Sequence, residues 1–95
     1  MNKKEKKFKK KYGFPVKDIY SLDSWLAREL SKRIYAWLEV GVMSYPPNLT
    51  PEEWEKQLRA CADGLHKYAS DYPEGMKDGE VAMQWVADNF VGLWD

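Results

Sequence analysis

Apolar residues recur at three- and four-residue steps through most of this chain, a period that predicts helices. Leu22, Trp25, Leu26, Leu30, Ile34, Trp37 and Leu38 form the first such stripe, with Arg28, Glu29, Lys32 and Arg33 mostly off it. This helix is expected to start at Ser21, a good N-cap residue, with Asp23 in the first turn where a carboxylate faces the helix dipole favourably. Tyr20 and Trp25 stand at the hydrophobic-staple positions, and Gly41 is the expected stop. A second stripe runs through Trp54, Leu58, Cys61, Leu65, Tyr68 and Tyr72 until Pro73 closes it, the seam expected of a helix lying lengthwise on another. Its start carries the clearest local signal in the chain: Thr50 at the N-cap, Pro51 at the first position, Glu53 completing a capping box, and Leu49 opposite Trp54 as a staple.

A third helix, capped by Asp78, is expected to carry Val81, Met83, Trp85, Val86, Ala87, Phe90, Leu93 and Trp94. These cover more than one face, which predicts a central position or a subunit interface. Between the first two helices, Pro46 and Pro47 remove two amide donors, so no helix crosses Val42 to Leu49. β-Branched and aromatic clusters fall inside helical periodicity, so no strand is predicted.

Charge divides the chain more sharply than hydropathy does. Residues 1–12 hold seven Lys and one Glu, whereas residues 13–95 hold eight basic and fourteen acidic side chains, so a net charge of zero conceals a cationic arm on an acidic body. Lysines this dense predict a solvated, disordered arm, ended by Gly13 and followed by an irregular lead-in from Phe14 to Tyr20, where Asp18 can start one short turn. The expected fold is therefore all-α: a small bundle of three main helices forming a single domain over residues 13–95, behind a flexible basic arm over residues 1–12. Ninety-five residues make a thin core, and 15% aromatic content is more than three helices need, which predicts a homo-oligomer. One Cys excludes an internal disulfide, and the basic start leads into no apolar run that could form a signal-peptide core or a membrane span. The expected compartment is the cytoplasm, with no membrane partner.

Candidate chemistry is sparse. A metal site needs a cluster of ligands, and one His and one Cys do not supply it; His66 and Asp63 share a helix face but read as a solvated pair. Cys61 sits in the seam of the second helix and reads as a core thiol, whereas a nucleophile needs exposure and a base. Glu52 and Glu53 are accounted for by capping, and Gly75 and Gly79 follow no strand, so they are not a phosphate loop. No catalytic residue, metal or cofactor is expected.

Binding surfaces are easier to find. The lysine arm can contact nucleic-acid phosphates weakly and without reading sequence, or it can serve only as a solubilising tail. Arg28, Lys32 and Arg33, combined with the rings of Tyr45 and Trp54, would suit a phosphorylated nucleotide, because guanidinium groups pair with phosphate and rings stack on bases. The plainer reading of the same residues is surface charge beside core aromatics. Trp85, Phe90 and Trp94 are candidate interface anchors.

Taken in order, Gly13 and Phe14, Leu22 and Asp23, Gly41, Tyr45 and Pro46, then Leu49, Thr50, Glu52, Glu53 and Trp54, and finally Phe90, Leu93 and Trp94 resemble the linear pattern of a family of small phage proteins of uncharacterised function. The likeness covers most of the chain. Val42, Met43 and the Pro46-Pro47 pair depart from it, standing where a polar turn and a single Pro are usual. The resemblance implies an all-α fold and a phage origin, and it carries over no catalytic residue. Non-catalytic phage proteins often counter host immunity. Two expectations follow, an oligomer that sequesters a nucleotide immune signal, or a protein that masks a host defence enzyme; a DNA-associated accessory protein is the third.

Overall fold

The computed structural model describes residues 2–94 and contains four helices: α1 (Lys3–Tyr12), α2 (Leu22–Val40), α3 (Pro51–Ser70) and α4 (Met76–Asp88). Short 3-10 turns at Val16–Ile19 and Phe90–Gly92 complete the secondary structure, and no strand occurs among the described residues. The fold is all-α, with α2, α3 and α4 as the three packed helices.

The expected capping box is formed: Thr50 Oγ1 accepts from the Glu53 amide at 3.1 Å, and Glu53 accepts from the Thr50 amide at 2.9 Å. These bonds hold the Glu53 carboxyl below the usual carboxylate range. Trp54, Leu58, Cys61 and Leu65 are buried along α3, while Tyr68 is half-buried and Tyr72 is exposed beyond the helix end. At Gly41 α2 stops, with φ 112° and its amide bonded to the Trp37 carbonyl. Ser21 does precede α2, but in the left-handed region at φ 54° and without a side-chain cap bond.

Several expectations are corrected. The central helix is α3, which packs on both α2 and α4; the last helix is peripheral, and Val81 stays 59% exposed on it. On α2 the buried line is Ala27, Ser31 and Ile34, whereas Leu22 and Leu26 remain exposed. Two of the three are small where α2 packs on α3, and Ser31 satisfies its hydroxyl on the Arg28 carbonyl at 2.9 Å. Asp78 does not cap α4. Gly75 stands at the cap position, and Asp78 lies in the first turn, paired with Lys67 at 3.3 Å. At the other end, α4 stops at Asp88, where the Asn89 side chain donates to the Trp85 carbonyl, so Phe90, Leu93 and Trp94 lie beyond the helix.

The basic arm is ordered as α1. Asn2 and Glu5 form a capping box, Lys9, Lys10 and Lys11 lie in the last turn facing the negative end of the helix dipole, and Gly13 closes the helix at φ 84°. The lysine density hid this short cap signal. No residue of α1 is buried, and the chain extends 52 Å along its longest axis with a radius of gyration of 15.8 Å. A compact chain of this length would have a radius of about 12 Å. The arm remains an arm, projecting from the body.

Gly75 and Gly79 let α4 reach α3. A Cβ at Gly75 would lie 2.6 Å from the Lys67 carbonyl carbon and 2.9 Å from the Tyr68 nitrogen; one at Gly79 would lie 2.6 Å from Cγ of Tyr68. Backbone atoms cannot swing aside as a side-chain tip can. Gly75→Ala is therefore expected to destabilise the fold by about 1 to 3 kcal/mol, the usual cost of overpacking, read as a lower urea midpoint with an unchanged m-value.

Candidate functional site

The residues expected to form a nucleotide site do not come together. Arg28, Lys32 and Arg33 gather on the exposed side of α2, where all three approach the Glu29 carboxylate, at 3.7, 3.2 and 2.8 Å. Bonds from Arg33 and then Lys32 hold the Glu29 carboxyl below its usual range. Exposed pairs of this kind contribute little to stability. Trp54, the expected stacking ring, is fully buried beneath Gly92 and against Trp85, with ring centroids 5.4 Å apart, and is closed to any ligand. It was misplaced because a staple residue at the fourth position of a helix reads equally well as surface or core; the return of the C-terminal turn over it decides the matter.

Tyr45 joins a different partner. The chain after Gly41 runs to Ser44, whose hydroxyl donates to the Trp94 carbonyl at 3.2 Å, tying the Pro loop to the C-terminal turn. Between them lies a cleft of about 350 Å³ lined by Tyr45, Pro46, Pro47, Asn89, Val91 and Trp94, with Asp88 at its edge. No cation lines it. Tyr45 is 50% exposed, Trp94 69%, and neighbouring Phe90 70%. Two of the three expected interface anchors thus face outward, while Trp85 is half-buried, stacked on Trp54 and donating its indole N–H to Gln57 at 3.0 Å. Fifty residues separate Ser44 from Trp94, so no local pattern could have paired the loop with the C-terminal turn.

Two further clefts flank α4. The larger, about 550 Å³, runs between α3 and α4 over Ala60, Cys61, Gly64, Val81, Ala82 and Trp85. The smaller, about 210 Å³, separates α2 from α4 around Leu26, Leu65, Gly79 and Met83. Tyr68 bridges this second gap, donating its hydroxyl to Asp23 on α2, a bond that lowers the Asp23 pKa and raises that of Tyr68 to about 12. Elsewhere between α2 and α3, burial and a 2.5 Å bond to Asp63 likewise raise Tyr35 to about 12. Asp63 is thereby engaged, and His66 lies edge-on to the Tyr35 ring at 6.4 Å. Among the described residues no cluster of metal-ligating side chains occurs. Cys61 is the core thiol expected; burial pushes its pKa up to about 11, and its sulfur donates to the Ala82 carbonyl at 3.6 Å. No helix of the described residues is long and apolar enough to cross a membrane.

The two bridging tyrosines set an alkaline limit. Both are protonated in the folded and unfolded states below pH 10, so their contribution is complete there; it is lost as pH rises from about 10, the ordinary tyrosine value, through about 12. Absorbance at 295 nm is expected to show phenolate from Tyr35 and Tyr68 only near pH 12, and Tyr35→Phe or Tyr68→Phe should each remove one equivalent from that step. Compared with known proteins, the chain matches no family model, no curated protein and no solved structure.

Proposed function

We propose that this chain is a non-catalytic protein-binding module that docks a partner protein on the aromatic surface of Tyr45, Phe90, Val91 and Trp94. The observation that carries this reading is the cation-free cleft between the Pro loop and the C-terminal turn, flanked by exposed rings. Trp and Tyr anchors dominate binding hot spots because they bury a large area with few rotatable bonds. Here they stand on a loop and turn that are tied together by the Ser44 to Trp94 bond, so little ordering is needed on binding.

Sequestration of a phosphorylated nucleotide draws less support. A phosphate in this cleft would face the Asp88 carboxylate, while Arg28, Lys32 and Arg33 share Glu29 elsewhere and line none of the three clefts. If the phage resemblance reflects origin, the partner is a host defence enzyme covered by this surface.

Capture from host lysate, compared between the wild-type chain and Trp94→Ala, tests the reading. Trp94 is exposed, so the variant should keep its fold while partner affinity falls by about 2 kcal/mol, roughly thirtyfold. Equal capture by both proteins would overturn the proposal. So would depletion of cyclic or ADP-ribose-type nucleotides from solution, with their release on denaturation.

A further inference from the structure

The docking surface makes no use of α1, the most strongly charged element of the molecule. Lys3, Lys6, Lys7 and Lys10 fall at the i, i+3, i+4 and i+7 positions of this helix and so form one continuous cationic face. Phe8 and Tyr12 lie on the opposite side. There they pack on each other at 4.7 Å and on Phe14, at 5.7 and 6.3 Å, so the three rings hold the Gly13 turn closed. Lys11 stands over the Tyr12 ring at 5.1 Å, but among the described residues no ion pair engages the four lysines of the cationic face.

We infer that α1 is a nucleic-acid contact helix whose Lys3, Lys6, Lys7 and Lys10 face binds the phosphate backbone of a duplex without reading its sequence. Its ten residues span about 15 Å, and a duplex presents one phosphate charge per roughly 1.7 Å of axis, so every lysine on the face has a phosphate within reach. The acidic body repels a polyanion, and α1 lessens this by packing mainly on the short turn at Val16–Ile19, while salt screens charges more than about 8 to 10 Å apart.

Two other occupants fit less well. An anionic membrane calls for a broad apolar face to insert, and here Phe8 and Tyr12 are the only apolar side chains of the helix and are already covered in part by Phe14. The acidic body of a second copy offers fourteen carboxylates, but five of them are already engaged at home, Asp23 with Tyr68, Glu29 with Arg33 and Lys32, Glu53 with Thr50, Asp63 with Tyr35, and Asp78 with Lys67, and eight basic side chains are scattered among the rest.

Fluorescence anisotropy of mixed-sequence DNA duplexes with the full chain, over about 50 to 200 mM salt, tests the inference. Two unrelated duplexes are expected to bind equally, with log K falling linearly in log salt. The variant K3Q/K6Q/K7Q/K10Q keeps the Asn2 and Glu5 cap, and glutamine is nearly as good a helix former as lysine, so circular dichroism should be unchanged. Its salt slope should be smaller by about 3.6, equivalent to roughly a hundredfold in affinity across that salt range. Trp94→Ala should bind duplex as the wild type does, which separates this result from the fate of the docking surface. An unchanged slope in the lysine variant overturns the inference, as does wild-type protein that ignores DNA at low salt. Tighter binding to phosphatidylserine vesicles than to duplex, or self-association abolished by the four substitutions without DNA binding, overturns it as well.

Discussion

The close approach of α4 to α3 is the constraint on which the rest of the molecule depends. It exists because Gly75 and Gly79 present bare backbone where any side chain would collide with Lys67 or Tyr68. The Tyr68 ring lies against Gly79 of α4 and its hydroxyl donates to Asp23 on α2, so one side chain of the central helix links both outer ones. The same proximity puts the Ala82 carbonyl over Cys61 and stacks Trp85 on Trp54. The chain beyond α4 then returns across Trp54 at Gly92 and delivers Trp94 to the Pro loop. A looser α3–α4 contact would leave Trp54 open and Tyr45 without its neighbour.

This arrangement divides the aromatic side chains into two populations. Trp54 is fully inside, with Trp37 and Trp85 packed against the core around it, which is how a domain of this size obtains enough buried area. Tyr45, Phe90 and Trp94 remain outside at one end of the fold, held by local turns rather than by core packing. Tyr12, Phe14, Tyr20 and Tyr72 are exposed elsewhere, but Tyr45 and Trp94 line one cleft with Phe90 beside them, and that grouping makes binding the economical account of these three. Charge is divided in a similar way. Lysines are concentrated on α1, which packs on little of the body, whereas carboxylates of the body such as Glu29, Glu53, Asp63 and Asp78 serve hydrogen bonds, caps or ion pairs.

Legibility followed the range of the interaction. Thr50, Pro51 and Glu53 announced α3 because a capping box is complete within four residues, and Gly41 announced the end of α2 because a positive φ favours glycine. The cap at Asn2 and Glu5 was equally local but was masked by the surrounding lysines, whose repulsion argues against order. Boundaries of α4 were displaced at both ends: Gly75 acts at the start through a close approach to Lys67 and Tyr68 that only folding supplies, whereas the Asn89 bond to the Trp85 carbonyl at the other end is local and was passed over for the apolar run that continues to Trp94.

What the amino-acid order determined by itself is the three packed helices, the α3 seam from Trp54 to Leu65, the core thiol and the separation of charge, because each depends on neighbours within about one or two turns. Only tertiary structure decided which apolar residues were needed. Ala27 and Ser31 went inside while Leu22 and Leu26 stayed out, since which face of α2 meets α3, not hydropathy alone, selects the buried side chains. Likewise Trp54 closed and Trp94 opened, although both are tryptophans beside helix ends, because one is covered by a glycine turn that arrives from thirty-eight residues away and the other is the residue that turn carries to the surface.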